Sequence, residues 1–144
     1  MIENDTIKLL RECDAGAKMG IDSISDVIDR VESIEFKKIL NESKIEHEKI
    51  ENKIQEKLIN YNDDGKDPGV MAKSMSKLKT NVKLGIDNSD KTVADLMTEG
   101  CNMGIKSLNM YLNQYKAADE FSKDLTKKLI NVEQSLVSDI SCYL

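Results

Sequence analysis

The one histidine of this chain, His47, lies in the stretch NESKIEHEKIENK (Asn41–Lys53), with acids on both sides of it. Imidazole nitrogen and carboxylate oxygen are both metal ligands, so the first chemistry to test is a metal centre. A carboxylate-bridged di-iron site needs one Glu from each of two helices and a Glu-x-x-His from each of two others, all pointing inward. Two such motifs need two histidines, and three residues before His47 stands Lys44, a cation where a ligand belongs. A dinuclear centre is therefore not expected.

A smaller site is conceivable. Asp14, Ser43, His47, Thr98 and Cys101 interrupt otherwise apolar stripes near the middle of helices. Buried together, His47, Cys101 and Asp14 could hold one Zn²⁺ or Fe ion, with Glu51, one turn beyond His47, as a fourth ligand. The favoured expectation is plainer: these groups hydrogen-bond one another or water in the bundle centre. Cys101 as a reactive thiol fares no better, because its stripe position implies burial, where a thiol's pKa rises and it turns inert. There is no nucleophile–histidine–acid arrangement and no glycine-rich phosphate loop. The chain is expected to be no enzyme and to carry no cofactor, a single Zn or Fe ion being the alternative.

These residues are set on helices by periodicity. Ile7, Leu10, Asp14, Ala17, Ile21, Ile24, Ile28 and Val31 repeat 3-4-3-4 after a cap candidate at Asp5. Ser33 caps a second stripe, Phe36, Leu40, Ser43, His47, Ile50, Ile54, Leu58 and Tyr61. A third follows Ser89 and Asp90, and a fourth runs Phe121, Leu125, Leu129, Val132, Leu136, Ile140. The pattern predicts one domain over 1–144 with helices at about 5–31, 33–60, 90–116 and 118–142. The turn signal NYNDDGKDPG after the second helix precedes a shorter amphipathic stretch carrying Met71, Met75, Leu78 and Val82, predicted as a helix at about 69–86. Short links make antiparallel pairs of helices one and two and of helices three and four. The long link between the pairs can run the length of a bundle, as the single crossover of ferritin-like bundles does. The expected fold is thus all-α, a ferritin-like four-helix bundle whose crossover carries a short extra helix.

The chain also repeats itself. GAKMGIDSI (Gly16–Ile24) aligns with GCNMGIKSL (Gly100–Leu108), EFKKIL with EFSKDL, and IEHE with INVE, at offsets of 84 and 85. Gly16, Gly20, Gly100 and Gly104 stand at spacing four on the first and third helices, which suggests close helix approach.

On the glycine-containing first and third helices, His47 and the linker VMAKSMSKLKTNVKLGIDNSD, the chain resembles a ferritin-like family of small, uncharacterised bacterial four-helix proteins, DUF2383. The resemblance implies a ferritin-like bundle whose biochemical role is largely unassigned. Members with metal-type patterns carry Glu after the glycine, where this chain has Ala17 and Cys101.

Composition narrows the partners. A net charge of −5 disfavours nucleic acid as a partner. No apolar run approaches the roughly 18–20 residues of a membrane span. The N-terminus MIENDTIKLL lacks a signal-peptide pattern. Three cysteines without C-x-x-C spacing suit a reducing cytoplasm. Lys73, Lys77, Lys79 and Lys83 in the crossover are candidates for binding an anionic surface, although such lysines more often stay in water while the apolar side lies on its own bundle. The leading expectation is a non-catalytic cytoplasmic protein associating with itself or a protein partner through helical faces. The alternative is a mononuclear metal-binding or redox protein derived from a di-iron carboxylate ancestor.

Overall fold

Short polar side chains fix three of the four helix starts. The hydroxyls of Ser33 and Ser89 accept from the Phe36 and Thr92 amides, and the Asp119 carboxylate accepts from the Ser122 amide. Each satisfies an amide that the first helical turn leaves without a backbone partner. The computed structural model describes residues 4–69, 85 and 89–144. Among the described residues four long helices form and no strand: α1 Asn4–Val27, α2 Ile34–Asn60, α3 Asp90–Gln114 and α4 Glu120–Ile140. Short 3₁₀ turns, Ile28–Arg30 and Ser141–Tyr143, follow α1 and α4. None of these helices is long and apolar enough to cross a membrane.

The all-α expectation holds for these elements. The predicted crossover helix at 69–86 lies, Gly69 and Gly85 apart, outside the described residues, as do Lys73, Lys77, Lys79 and Lys83. Asp5 does not precede α1 but sits in its first turn.

Two clusters of apolar side chains show how the helices run. Leu9, Leu10, Ile54, Leu58, Leu125 and Leu129 pack at one end, and Ile24, Phe36, Leu40, Val93, Leu136 and Ile140 at the other. Hence α1 and α4 point one way, α2 and α3 the other. α2 finishes at the end where α1 begins, whereas α3 starts at the opposite end, so residues 61–89 link the two ends. At about 1.5 Å per residue, α2 alone spans roughly 40 Å.

The two hairpins hold each other's loops. Asp90, at the start of α3, accepts from the amides of Glu32 and Ser33 in the α1–α2 loop, at 2.8 and 3.0 Å. At the other end Asp5 accepts from the Ala117 amide at 3.0 Å, and the Thr6 hydroxyl accepts from the Asp119 amide at 2.8 Å. Asp5 and Asp90 stand 85 positions apart, one off the 84-residue offset of the first and third helices, so near-equivalent acids of the two hairpins clamp each other.

Packing corrects the fourth stripe. Phe121 is half exposed and lies beneath the Lys57 ammonium, 4.8 Å from its ring centroid, a cation–π contact rather than a core one. Ser122, Thr126 and Glu133 are buried instead, and Val132 is only half-buried. The inward face of α4 is rotated toward its polar residues.

Replacing Asp90 with alanine removes a charged acceptor for two amides, and about 1–2 kcal/mol of stability is expected to go with it. Asp5→Ala should cost about 1 kcal/mol. Because the clamps sit at opposite ends, urea denaturation of the double variant should return the sum of the two.

Candidate functional site

The four candidate ligands do not converge. His47 and Cys101 belong to a layer at mid-bundle, Asp14 and Glu51 to a second polar centre nearer the start of α1.

In the first layer, periodicity places His47 on the inward face of α2, where it is almost wholly buried. Its Nδ1 lies 2.8 Å from the Ser43 carbonyl oxygen and its Nε2 3.1 Å from Glu133 Oε1. The Ser43 carbonyl accepts from Nδ1, and Nε2 faces a carboxyl oxygen, so this geometry favours the doubly protonated ring. Burial alone would lower the pKa of His47, but the Glu133 carboxylate and the Ser43 carbonyl outweigh it and hold His47 above its ordinary value. Both ring nitrogens are thus engaged within the protein.

The ring also presses on α1. A Cβ built on Gly20 would stand 2.6 Å from His47 Cδ2 and Nε2, closer than atoms pack. On the opposite hairpin, Gly104 faces the Glu133 carboxyl at an ordinary 3.7 Å. The glycines thus serve a side-chain pair. Of the four at spacing four, only Gly20 needs its missing Cβ, and Gly100 borders open space. Cys101 lies near Glu133, and burial, with the carboxylate's charge, pushes its thiol far up. It is no nucleophile at neutral pH.

Asp14 is fully buried and accepts three hydrogen bonds, from Gln55 Nε2 at 2.6 Å, the Lys66 amide at 2.7 Å and Lys18 Nζ at 3.0 Å. Burial pushes its pKa up, but neutral Glu51, the Lys66 amide and Lys18 outweigh that and hold it below the usual carboxylate range. Glu51 shares the Gln55 amide at 3.0 Å. Burial, then the neighbouring Asp14 charge, pushes Glu51 up to about 8. Beside this centre, Cys13 Sγ meets Thr126 Oγ1 at 2.9 Å, and that hydroxyl donates to the Ser122 carbonyl. Burial raises the Cys13 thiol to about 12.

Among the described residues no group of three or more His, Cys, Asp and Glu side chains is arranged to hold a metal ion. Thr98, another of the polar interruptions, has its hydroxyl buried without a partner there. A groove of about 450 Å³ between α2 and α4 is floored by Ile39, Val132 and Leu136 and edged by Glu42, Glu46 and Asp139. Lys38 and Lys49 already pair with Glu42 and Glu46.

Sequence reasoning missed Glu133, Gln55 and Gly20's specific duty. Val132 and Glu133 both fit a helical stripe between Leu129 and Leu136, and the repeat aligned Val132 with His47. The packing turns Glu133 inward.

Compared with known family models, curated proteins and solved structures, the chain finds no match.

Gly20→Ala should lower stability by about 1–3 kcal/mol through overpacking against His47. In a His47→Ala background the same change should be neutral or stabilising, by up to about 1 kcal/mol of helix propensity. A denaturation double-mutant cycle reads the change of sign. Glu133→Leu removes the carboxyl partner of a buried ring, which then sheds its proton, and should cost about 1–3 kcal/mol near neutral pH. Since the folded protein holds His47 above its ordinary value, His47 contributes its full stability below about pH 6.5. That contribution fades as pH rises through the raised value. The stability gap between wild type and His47→Gln should therefore narrow from pH 6 toward pH 9.

Proposed function

We propose that this chain is a non-catalytic, cytoplasmic protein of ferritin-like topology, of the DUF2383-like kind, which works by association through its helical faces. The observation that carries the reading is the full engagement of His47: its two ring nitrogens are held by Ser43 and Glu133. That engagement supports reading His47 as part of an internal polar pair with Glu133.

Three further features support the proposal. Two antiparallel hairpins whose connection leads from one end of the bundle to the other match the single-crossover bundle. The thiols of Cys13 and Cys101 are held protonated by burial. Met103 and Met110, seven residues apart on α3, are 71% and 56% exposed, an adaptable apolar face suited to a second helical surface.

Protein purified without added metal should contain no stoichiometric Fe, Mn or Zn by elemental analysis. Sedimentation velocity in the micromolar range should show self-association that weakens in a Met103→Glu/Met110→Glu variant. Stoichiometric metal that disappears with His47→Ala would overturn the reading of the centre. A monomer at every concentration would overturn self-association.

A further inference from the structure

Residues 61–67 leave the end of α2 and turn back across α1. The turn uses two residues with positive φ, Asn62 at 56° and Gly65 at 81°. Asp63 pairs with Arg11, Lys66 Nζ with Glu12 at 2.6 Å, and Asp67 with Lys18 at 3.1 Å. The Lys66 amide closes over Asp14. At Gly65 the backbone comes so near that a Cβ would collide with the Asp14 carboxylate.

We propose that this strap is a proton-controlled latch, closed over Asp14 while Glu51 is neutral and released when Glu51 ionises.

The geometry beneath the strap carries the argument. Glu51 and Asp14 share one amide donor group, Gln55 Nε2. Glu51 Oε2 is buried and meets no donor among the described residues, and the neighbouring Asp14 carboxylate can be hydrogen-bonded by Glu51 only while Glu51 keeps its proton. Around Glu51, α1 presents Asp14, Lys18 and the Cys13 thiol, α2 presents Gln55, and the strap presents the Lys66 amide. Farther out, the Glu12–Lys66 pair faces Tyr111 and Tyr115 near the end of α3. The cations are engaged: Lys18 bridges Asp14 and Asp67, and Lys66 Nζ holds Glu12.

A second anion at Glu51 would thus stand beside Asp14 with one oxygen unhydrated, which burial makes costly. Lifting the strap removes the Lys66 amide from Asp14 and admits water to both carboxylates. What holds the strap down is the Lys66 amide on Asp14 and three ion pairs, each with one partly exposed partner and of small individual worth. Glu51 gives its proton to solvent base, no other bond changes, and the strap opens.

The sign follows from linkage. With the strap closed, burial and the neighbouring Asp14 carboxylate raise the Glu51 pKa to about 8, and a hydrated glutamate titrates near 4.3. The closed form binds the proton more tightly, so its advantage falls about tenfold per pH unit between those values and levels off above the upper one.

Amide hydrogen exchange by NMR tests this in the full chain. In wild type the protection factor of the Lys66 amide, corrected for intrinsic exchange, should fall severalfold to about tenfold per unit from pH 6 to 8. In Glu51→Gln, which keeps the shape without the ionisation, protection should be independent of pH. A flat wild-type profile, or the same slope in both proteins, would overturn the latch. A ¹³C titration of the Glu51 carboxyl provides the converse. Gly65→Ala, which cannot close, should bring its midpoint down toward the ordinary value, and an unmoved midpoint would also overturn the proposal.

Discussion

A buried imidazole and a buried carboxyl group 3.1 Å apart leave little freedom to the four helices around them. His47 from α2 and Glu133 from α4 must meet across the bundle, because either alone would be an unsatisfied polar group in a desolvated interior. That contact fixes which way α4 faces, and it fixes how α1 and α3 approach, since the ring lies against Gly20 and the carboxyl beside Gly104. One residue from each helix thus forms a single layer. The apolar clusters on either side supply most of the burial, but the layer sets their register.

The ends are set differently. Asp5 and Asp90 occupy near-equivalent places in the first turns of α1 and α3, each accepting from amides of the other hairpin's loop. Loop amides that no helix satisfies are thereby used to join the halves, a chemical economy consistent with the internal repeat. The repeat is not carried through the centre. His47 has Val132 at its aligned position, and Val132 lies in the α2–α4 groove while Glu133 takes the inward place.

The centre around Asp14 obeys another logic. Here two carboxylates are close, and the conflict is relieved by leaving Glu51 protonated while Lys18, Gln55 and the strap amide stabilise Asp14. The mid-bundle pair is sealed by helices; the Asp14 centre is sealed in part by a short loop crossing α1. The two polar centres therefore differ in how readily water can reach them, although Asp14 and His47 each sit on the inward stripe of their helix.

Much of this was legible beforehand. The 3.6-residue stripes, the serine caps at 33 and 89 and the differing link lengths determine four helices in two antiparallel pairs, because these are local properties of backbone and solvent. Polar interruptions at Asp14, His47 and Cys101 could be located on those helices from spacing alone. Which of them meet could not, because a helical stripe accepts either of two adjacent residues and partner choice lies in the rotation of one helix against another. Periodicity admitted both Val132 and Glu133; only the desolvated charge of His47 across the bundle selects the carboxylate. Likewise a glycine at position 20 or 65 reads as a weak helix former or a turn. The tertiary structure decides that each makes room for a buried side chain, an imidazole at one and a carboxylate at the other.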